Sequence, residues 1–431
     1  MALGLRAMNS MAGSKLLDKL GLRKPGERMV YQAVRAGFST LGAVGRGIKA
    51  TRKLLRPARL SASQGGEQFD LTPSAEQQML FDSVRGFALE QLRPAATAAD
   101  AAACAPPGLL QQGADLGLAQ IGIPEELGGA GSERSPLTGV LVAEALAQGD
   151  MGLALACLAP TAISTALVLW GNEQQQLAWL PAFAGDQPPA AALAILEPRA
   201  LFDPLALRTS AREVRGGYVL DGVKSLVPCA ANATLFIVAA ELEGKGPALF
   251  LVEAGSKGLR IEAEPAMGLR AAATGRLNLR KLALPAGALL GAATPETYSQ
   301  CIALARLGWC ALAVGTAQAV LDYVIPYVND RVAFGEPVSH RQSVAFAIAN
   351  MGIELNAMRL LTWRAASLAE RGQDFVQATA LARRLCADKG MQIGNDGVQL
   401  LGGHGFTREH PVERWYRDLR AAGLMEGAIL V

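Results

Sequence analysis

The chain has 431 residues, of which 51% are hydrophobic, 18% charged and 5% aromatic; it is long enough for roughly two to four domains and too apolar to be disordered as a whole. Its net charge of +3 is uneven, because residues 1–60 carry 13 Lys and Arg against two acids, giving +11, and residues 61–431 carry 28 against 36, giving −8. The acidic charge of residues 61–431 argues against nucleic acid as the main ligand. The six cysteines are scattered, which favours a reducing compartment. The three histidines lack ligand spacing and predict no metal site.

The basic N-terminal segment, residues 1–60, is also amphipathic. Phe38, Leu41, Val44 and Ile48 fall mostly on one helical face, with Lys and Arg on the other. This pattern predicts peripheral contact with an anionic membrane surface; a transit peptide and a solvated or body-packed extension are the alternatives. Residues 1–70 are therefore predicted to be a basic extension and linker. The predicted location is cytoplasmic, on the inner face of a membrane, or the mitochondrial matrix if the source is eukaryotic.

Residues 71–190 are predicted to form a helical domain. Thr72, Pro73 and Ser74 carry the signals of a helix start. Residues 151–172 are uncharged for 22 positions, long enough to cross a membrane. Because Pro160 interrupts this run, it is predicted to be a pair of buried helices in a domain core.

The character changes to short strands in residues 191–292. Alternating apolar patterns separated by turn signals predict strands at 218–227, 234–240, 248–254, 258–264 and 275–284. Their spacing is typical of a small β-barrel or sandwich. Helical patterns return in residues 293–431. The order helices, strands, helices predicts an α+β multidomain protein rather than an alternating α/β sheet.

Several segments in this order resemble the acyl-CoA dehydrogenase family. They are LGLAQIGIPEELGGAG at 116–131, GYVLDGVKS at 217–225, AMGLRAAAT at 266–274, RVAFGEPVSHRQS at 331–343, QLLGGHGF at 399–406 and PVERWYRDLR at 411–420. The resemblance covers residues 71–431. It implies an N-terminal helical domain, a central β-barrel, a C-terminal four-helix bundle, and a homodimer or homotetramer. It also implies FAD as cofactor, an acyl-CoA substrate and an electron-transfer flavoprotein as electron acceptor.

The family's base is a glutamate eight residues after an Arg-Asp pair, and here Arg417-Asp418 is followed at that distance by Glu426. A carboxylate is the group that the chemistry needs, because the α-proton of a thioester is weakly acidic and requires a positioned base. The apolar neighbours Leu424 and Met425 are expected to desolvate the carboxyl group and raise its pKa. The resemblance therefore implies that Glu426 is catalytic in α,β-dehydrogenation.

The resemblance also implies residues that bind FAD and substrate. Arg331, Phe334 and Gln342 match the segment that reaches the pyrophosphate and adenosine, and an arginine fork suits phosphate oxygens. The cofactor-binding glycine turn is matched by Gln399, Gly402 and Gly403. Arg306 matches an arginine near the family's CoA-binding helix.

The segments that hold the flavin ring depart from the family pattern. The family's Thr-Glu-Pro-x-Ala-Gly-Ser-Asp is Leu-Glu-Pro-Arg-Ala-Leu-Phe-Asp at 196–203, and its Lys-x-Trp-Ile-Thr/Ser is Lys-Ser-Leu-Val-Pro at 224–228. The apolar replacements are Leu196, Leu201, Phe202, Leu226 and Pro228. Either other contacts hold the ring, for instance Ser225 in a shifted register, or the flavin site is remodelled, weak or absent. The second case corresponds to a non-catalytic paralogue that binds acyl-CoA or a partner subunit.

Overall fold

The computed structural model describes residues 71–129 and 134–428. The proposed membrane contact through residues 1–60 and the linker that follows lie outside the described residues. Within the described residues, six helices are followed by seven strands and then by four helices. The predicted fold class is confirmed.

The N-terminal helices pack around an apolar core. Ser74 is the N-cap of the first helix: its side chain accepts from the Gln77 backbone N–H, and the Gln77 side chain accepts from the Ser74 N–H. A π-helical turn, Ala88–Leu92, continues this helix directly after Phe87. The helices are α1 (Ala75–Phe87), α2 (Arg93–Ala102), α3 (Pro107–Asp115), α4 (Pro136–Ala147), α5 (Met151–Trp170) and α6 (Glu173–Phe183).

The prediction of a helix pair in residues 151–172 is wrong, because α5 is one continuous helix of 20 residues with Pro160 inside it. Asp150 caps its start by accepting from the Leu153 N–H at 3.0 Å. Most of α5 is buried, and its residues belong to two apolar clusters, one shared with α4 and one with the sheet. Burial of both sides stabilises α5 enough to offset the backbone hydrogen bond that a proline removes.

The strands form one connected seven-stranded sheet. They are β1 (Ala191–Ala194), β2 (Ser210–Val214), β3 (Gly217–Val227), β4 (Leu235–Leu242), β5 (Gly246–Glu253), β6 (Leu259–Ala263) and β7 (Gly275–Pro285). Their order is β1-β4-β2-β3-β7-β6, with β5 antiparallel to β4. The pairing of β3 with β7 shifts register between Lys224 and Val227. This irregularity lies where the chain leaves β3 towards Pro228.

The C-terminal helices are α7 (Pro295–Asp330), α8 (Gln342–Glu370), α9 (Val376–Leu400) and α10 (Val412–Leu419). They pack on one another around a shared apolar cluster, and α7 also packs against α4 of the N-terminal helices. A two-stranded ribbon, β8 (Val332–Ala333) and β9 (Glu336–Pro337), joins α7 to α8. A 3₁₀ turn, Arg420–Gly423, follows α10 and leads to the last described residues.

Among the described residues, three helices are long and apolar enough to cross a membrane by length and composition: α5, α7 and α8. The apolar windows of α5 and α7 are 61% and 67% buried inside the protein, whereas that of α8 is 17% buried. Side chains such as Phe346, Ile353 and Leu360 on α8 are exposed. Thus α5 and α7 are core helices, and α8 presents an apolar face that residues 71–129 and 134–428 leave uncovered.

Candidate active site

Glu426 lies buried in the wall of a large cavity. Its exposed fraction is 6%, and it lines a cavity of about 720 Å³ together with Met425, Trp309 and Pro228. Its backbone has a φ of 52°, a left-handed conformation that is uncommon for a residue other than glycine. The surrounding structure therefore has to hold this turn in place.

Two arginines hold the turn by its backbone carbonyl groups. The Arg306 guanidinium on α7 donates to the Glu426 carbonyl from Nε at 3.1 Å and from Nη2 at 2.8 Å. The Arg383 guanidinium on α9 donates to the Met425 carbonyl at 2.7 Å and also to the Gly427 carbonyl. Charged donors make stronger hydrogen bonds than neutral ones. The position of Glu426 is thus fixed from two helices without use of its own carboxyl group.

Gly427 is required where the turn meets the sheet domain. Its φ is 107°, and a Cβ added there would lie 2.6 Å from Pro204 Cδ and 3.0 Å from Arg306 Nη2. The next residue, Ala428, donates its N–H to the Phe202 carbonyl at 2.9 Å. The turn formed by residues 425–428, called the base turn below, therefore contacts the segment that follows β1. Only glycine fits at position 427 in this close approach.

The Glu426 carboxyl group is tuned for proton transfer near neutral pH. Burial raises its pKa to about 7, while the charges of Arg383 and Arg306 and a hydrogen bond from the Trp309 side chain oppose this rise. Met425 is buried, but Leu424 is 46% exposed, so the expectation that both desolvate the carboxyl holds for Met425 alone. The carboxyl oxygen Oε2 is buried and has no hydrogen-bond partner within residues 71–129 and 134–428. A buried carboxyl group in a cavity wall, with a pKa near neutrality, is suited to accept a proton.

The cavity is mostly apolar and is built from small residues. Gly139, Ala159, Ala162, Ala305 and Gly308 are among the residues that line it, contributed by α4, α5 and α7. At one end it includes Glu426 and Pro228. It also includes a group of hydrogen-bonded side chains, in which Gln77 Nε2 donates to Ser135 Oγ at 3.3 Å and to Thr138 Oγ1 at 3.2 Å. A cavity of this size and polarity fits an apolar chain.

A second pocket of about 620 Å³ brings together most of the residues matched to FAD binding. Arg331, Phe334, Gln399, Gly402 and Gly403 all line it. Gln342 does not: it is the first residue of α8, and its neighbours Arg341 and Ser343 line the pocket instead.

Positive charge and backbone shape suit this pocket to a phosphate-bearing ligand. Its lining includes two arginines, Arg331 and Arg341, and no acidic residue. Gly402 has a φ of 60°, as a glycine turn requires. The residues present therefore fit the pyrophosphate and nucleotide end of FAD, because arginine forks and a glycine turn are what such groups bind.

The segment at 225–229 directs its polar groups inward. Ser225 Oγ donates to both oxygens of Glu264, at 2.9 and 3.0 Å, and the Leu226 N–H donates to Glu264 Oε2 at 2.8 Å. The Cys229 N–H donates to the Ala272 carbonyl at 2.7 Å. Pro228 has no N–H and lines the cavity. The Ser225 hydroxyl therefore uses its one proton in the bond to Glu264 and has none to donate to a flavin ring.

The segment at 196–203 is anchored by a buried ion pair. Lys224 Nζ lies 3.0 Å from Glu197 Oε1, and Glu197 also accepts from the backbone N–H groups of Arg208 and Thr209. Burial lowers the pKa of Lys224 to about 8. Leu196 and Phe202 pack in an apolar cluster, whereas Leu201 is exposed. The protein thus offers mainly apolar contacts where the flavin ring would lie beside Glu426.

Arg306, matched to substrate binding, has a different contact, since its guanidinium is bonded to the Glu426 carbonyl. Arg383 and Trp309 were not found from the sequence. Both lie within long helices whose patterns show no catalytic motif, and only the fold brings them to Glu426 from α9 and α7.

Comparisons with known proteins agree with this geometry. Sequence models of the acyl-CoA dehydrogenase N-terminal, middle and C-terminal domains match residues 74–187, 192–282 and 296–430. The human mitochondrial short-chain specific acyl-CoA dehydrogenase is 32% identical over 359 residues, covering 81% of this chain and 86% of that protein.

Two solved structures show the same fold. Butyryl-CoA dehydrogenase from Megasphaera elsdenii superposes with a TM-score of 0.78 and 27% identity, covering 84% of this chain and 97% of its own. A glutaryl-CoA dehydrogenase from Mycobacterium smegmatis in complex with FADH2 superposes with a TM-score of 0.76 and 25% identity, covering 83% and 92%. This chain therefore belongs to the acyl-CoA dehydrogenase family of FAD-binding oxidoreductases.

Proposed function

We propose that this protein dehydrogenates an acyl-CoA thioester between its α and β carbons, with Glu426 as the base. The observation that carries the proposal is the buried Glu426 carboxyl group, with a pKa of about 7 and an unpaired oxygen, in the wall of an apolar cavity. A base whose pKa is close to the working pH is partly ionised and still accepts a proton well.

The chain's own residues divide the work. The cavity removes the acyl chain from water and brings the α-carbon to Glu426, whose carboxyl group takes the proton. Arg306 and Arg383 hold the turn and favour the ionised carboxylate. FAD, when bound, supplies the acceptor for the β-hydride. Its nucleotide end would be held by Arg331, Gln399, Gly402 and Gly403.

The size of the cavity supports an acyl chain longer than that named for the human relative. A cavity of about 720 Å³ reaches from Glu426 to the starts of α1 and α4. Each buried methylene contributes about 0.8 kcal/mol to binding, so a short chain would forgo most of the available stabilisation. A medium or long unbranched acyl group makes fuller use of this space.

The partners follow from the family and from the exposed surface. An electron-transfer flavoprotein is the proposed electron acceptor. A homodimer or homotetramer is proposed because apolar side chains of α8, including Ile353 at 66% exposure, are not covered by the part of the chain that the structure describes. The human relative is mitochondrial, which supports the matrix as location if the source is eukaryotic. Peripheral membrane contact through residues 1–60 is a separate proposal from their charge and apolar pattern.

Anaerobic flavin reduction tests the proposed reaction. Purified protein loaded with FAD is mixed with acyl-CoA thioesters of 4 to about 16 carbons, and the flavin absorption is followed. The expected result is bleaching in the wild type and a rate at least about 100-fold lower in Glu426→Gln, since general base catalysis contributes about 10² to 10⁴. Bleaching that survives Glu426→Gln would remove Glu426 as the base.

The inward-facing donors near Pro228 favour a second candidate, the non-catalytic paralogue that binds acyl-CoA or a partner subunit. The same experiment separates the two. Protein that takes up no FAD at micromolar concentration, yet binds acyl-CoA, would support the second candidate and contradict the first.

A further inference from the structure

Two pairs of tyrosine and histidine side chains lie side by side where α7 meets the glycine turn. Tyr327 Oη lies 2.8 Å from His404 Nδ1, and Tyr323 Oη lies 2.7 Å from His410 Nδ1. The tyrosines are four positions apart on α7, a spacing that places them on one helix face. The two imidazole rings are stacked, with their centroids 5.3 Å apart and their planes inclined by 16°. Two of the three histidines in the sequence therefore meet at one place.

The two pairs differ in their position relative to the second pocket. Tyr327 and His404, called the pocket pair below, are among its lining residues, whereas Tyr323 and His410, called the core pair, are not. Tyr323 packs edge-on against Trp415, with the ring centroids 5.7 Å apart, and Trp415 is fully buried. The core pair thus joins the ring cluster to the interior of the protein, and the pocket pair presents a histidine to the pocket.

The contact with Tyr327 assigns a proton donor to the other nitrogen of the His404 ring. Tyr327 Oη is closer to His404 Nδ1 than to its second acceptor, the Leu401 carbonyl at 3.4 Å, so its hydroxyl donates to Nδ1. A neutral imidazole that accepts at Nδ1 carries its own proton on Nε2, and a protonated imidazole carries one there as well. Within residues 71–129 and 134–428, Nε2 makes no hydrogen bond.

We infer that His404 is a further cofactor-binding residue: its Nε2–H donates to a phosphate oxygen of the FAD pyrophosphate, and Tyr327 positions the imidazole for this bond. The inference rests on the proposed assignment of the second pocket to the nucleotide end of FAD. Arg331 and Arg341 supply positive charge to the same pocket on long side chains. His404 adds a donor that is held on two sides, by the stacked ring of His410 and by the Tyr327 hydroxyl. A donor that is already held loses less side-chain freedom when the ligand binds.

A histidine pair can also bind a metal ion, but the surroundings favour a phosphate. The described residues contain no group of three or more His, Cys, Asp or Glu side chains that could hold a metal ion. The Nδ1 atoms of His404 and His410 are both bonded to tyrosine hydroxyl groups. Protein metal sites usually need three or four ligands, whereas a phosphate oxygen needs only one donor from this ring.

The test is FAD binding to the full chain prepared without flavin, measured by quenching of flavin fluorescence, which requires no turnover. His404→Phe keeps a stacked ring and removes both nitrogens. It is expected to weaken FAD binding about tenfold, because a hydrogen bond to a charged phosphate is stronger than one between neutral groups. His404→Gln places an amide N–H near the position of Nε2 and is expected to restore the affinity to within about threefold of wild type.

The core pair provides the matched controls. His410→Phe and Tyr323→Phe make the same changes beside the pocket, and both are expected to leave FAD affinity within about twofold of wild type. Tyr327→Phe is expected to weaken FAD binding about threefold in the wild-type background, since it frees the imidazole to turn. The same substitution should have no further effect in the His404→Phe background, because the hydroxyl acts through the imidazole.

Competition by ADP and by adenosine locates the contact on the phosphates. His404→Phe is expected to weaken ADP binding about tenfold and adenosine binding by less than about twofold. Unchanged FAD affinity in His404→Phe, equal losses for ADP and adenosine, or an equal loss in His410→Phe would overturn this inference while FAD still binds to the wild type. Wild-type protein that binds no FAD would overturn the proposed function as well, so the two failures are distinguishable.

Discussion

The cavity beside Glu426 has two walls of opposite construction. At the Glu426 wall, polar groups from α7 and α9 converge on the turn that carries the buried carboxyl group. At the Pro228 wall, the nearby hydroxyl and N–H groups bond to Glu264 and to backbone carbonyls inside the protein. In the proposed reaction, proton transfer depends on the first wall and FAD affinity in part on the second. The two can therefore be altered separately.

Gly427→Ala is expected to give the largest effect, by breaking the Glu426 wall. The added Cβ meets Pro204 and Arg306 at a φ of 107°, so the turn has to shift. A displacement of about 1 Å costs at least about 100-fold in rate. Steady-state kcat measures it.

Gly372→Ala is the control for backbone strain alone, because Gly372 also has a positive φ, 68°, but a Cβ there meets no atom within 4 Å. It should lower Tm slightly and leave kcat unchanged. An active Gly427→Ala enzyme would mean that the base turn tolerates displacement.

Gly308→Leu tests the length of acyl chain that the cavity accepts. A Cβ at Gly308 meets no atom within 4 Å and points into space that the cavity occupies. The leucine should displace about three methylenes of a long acyl chain, a loss of about 2.4 kcal/mol or roughly 50-fold in kcat/KM. Four-carbon substrates should change by less than about threefold.

Gly86→Leu, on α1 outside the cavity lining, is the helix-glycine control, since its Cβ also meets no atom within 4 Å. An equal loss for short and long substrates in Gly308→Leu would contradict the long-chain proposal.

Pro228→Thr should give the smallest effect, because it only adds polar groups to the Pro228 wall. It adds a hydroxyl and an N–H at the cavity surface. One net hydrogen bond of about 1 kcal/mol tightens FAD binding about fivefold, measurable by fluorescence quenching. Pro285→Thr, at the exposed end of β7, serves as the control. Unchanged or weaker FAD affinity would show that the ring makes no polar contact there.

Much of the fold was predictable because its local signals are strong. The five strands expected from alternation all occur, and β3 spans Gly217–Val227 where 218–227 was predicted. β1 and β2 were missed: β1 reads AALA, which has neither a β-branched residue nor alternation, and its strand character comes from parallel pairing with β4. Tertiary pairing of this kind leaves no local mark.

Site residues that lie in a sequence motif were predictable, whereas those that helix packing brings to the site were not. Glu426 was found by its spacing from Arg417-Asp418, and Arg331 by its segment. Trp309 and Arg383 become site residues only because α7 and α9 pack at the base turn. In the sequence both look like ordinary helical residues, because contacts between distant elements form only when the core packs.

The arginines at the base turn bind main-chain oxygens, so the shape of the turn does not depend on which side chain stands at position 426. Substitution there alters the chemistry and leaves the substrate cavity intact. A non-basic residue at this position would produce a receptor that sequesters an acyl thioester without turning it over. Exchange of this one side chain is thus enough to convert such an enzyme into an acyl-CoA sensor, or the sensor back into an enzyme.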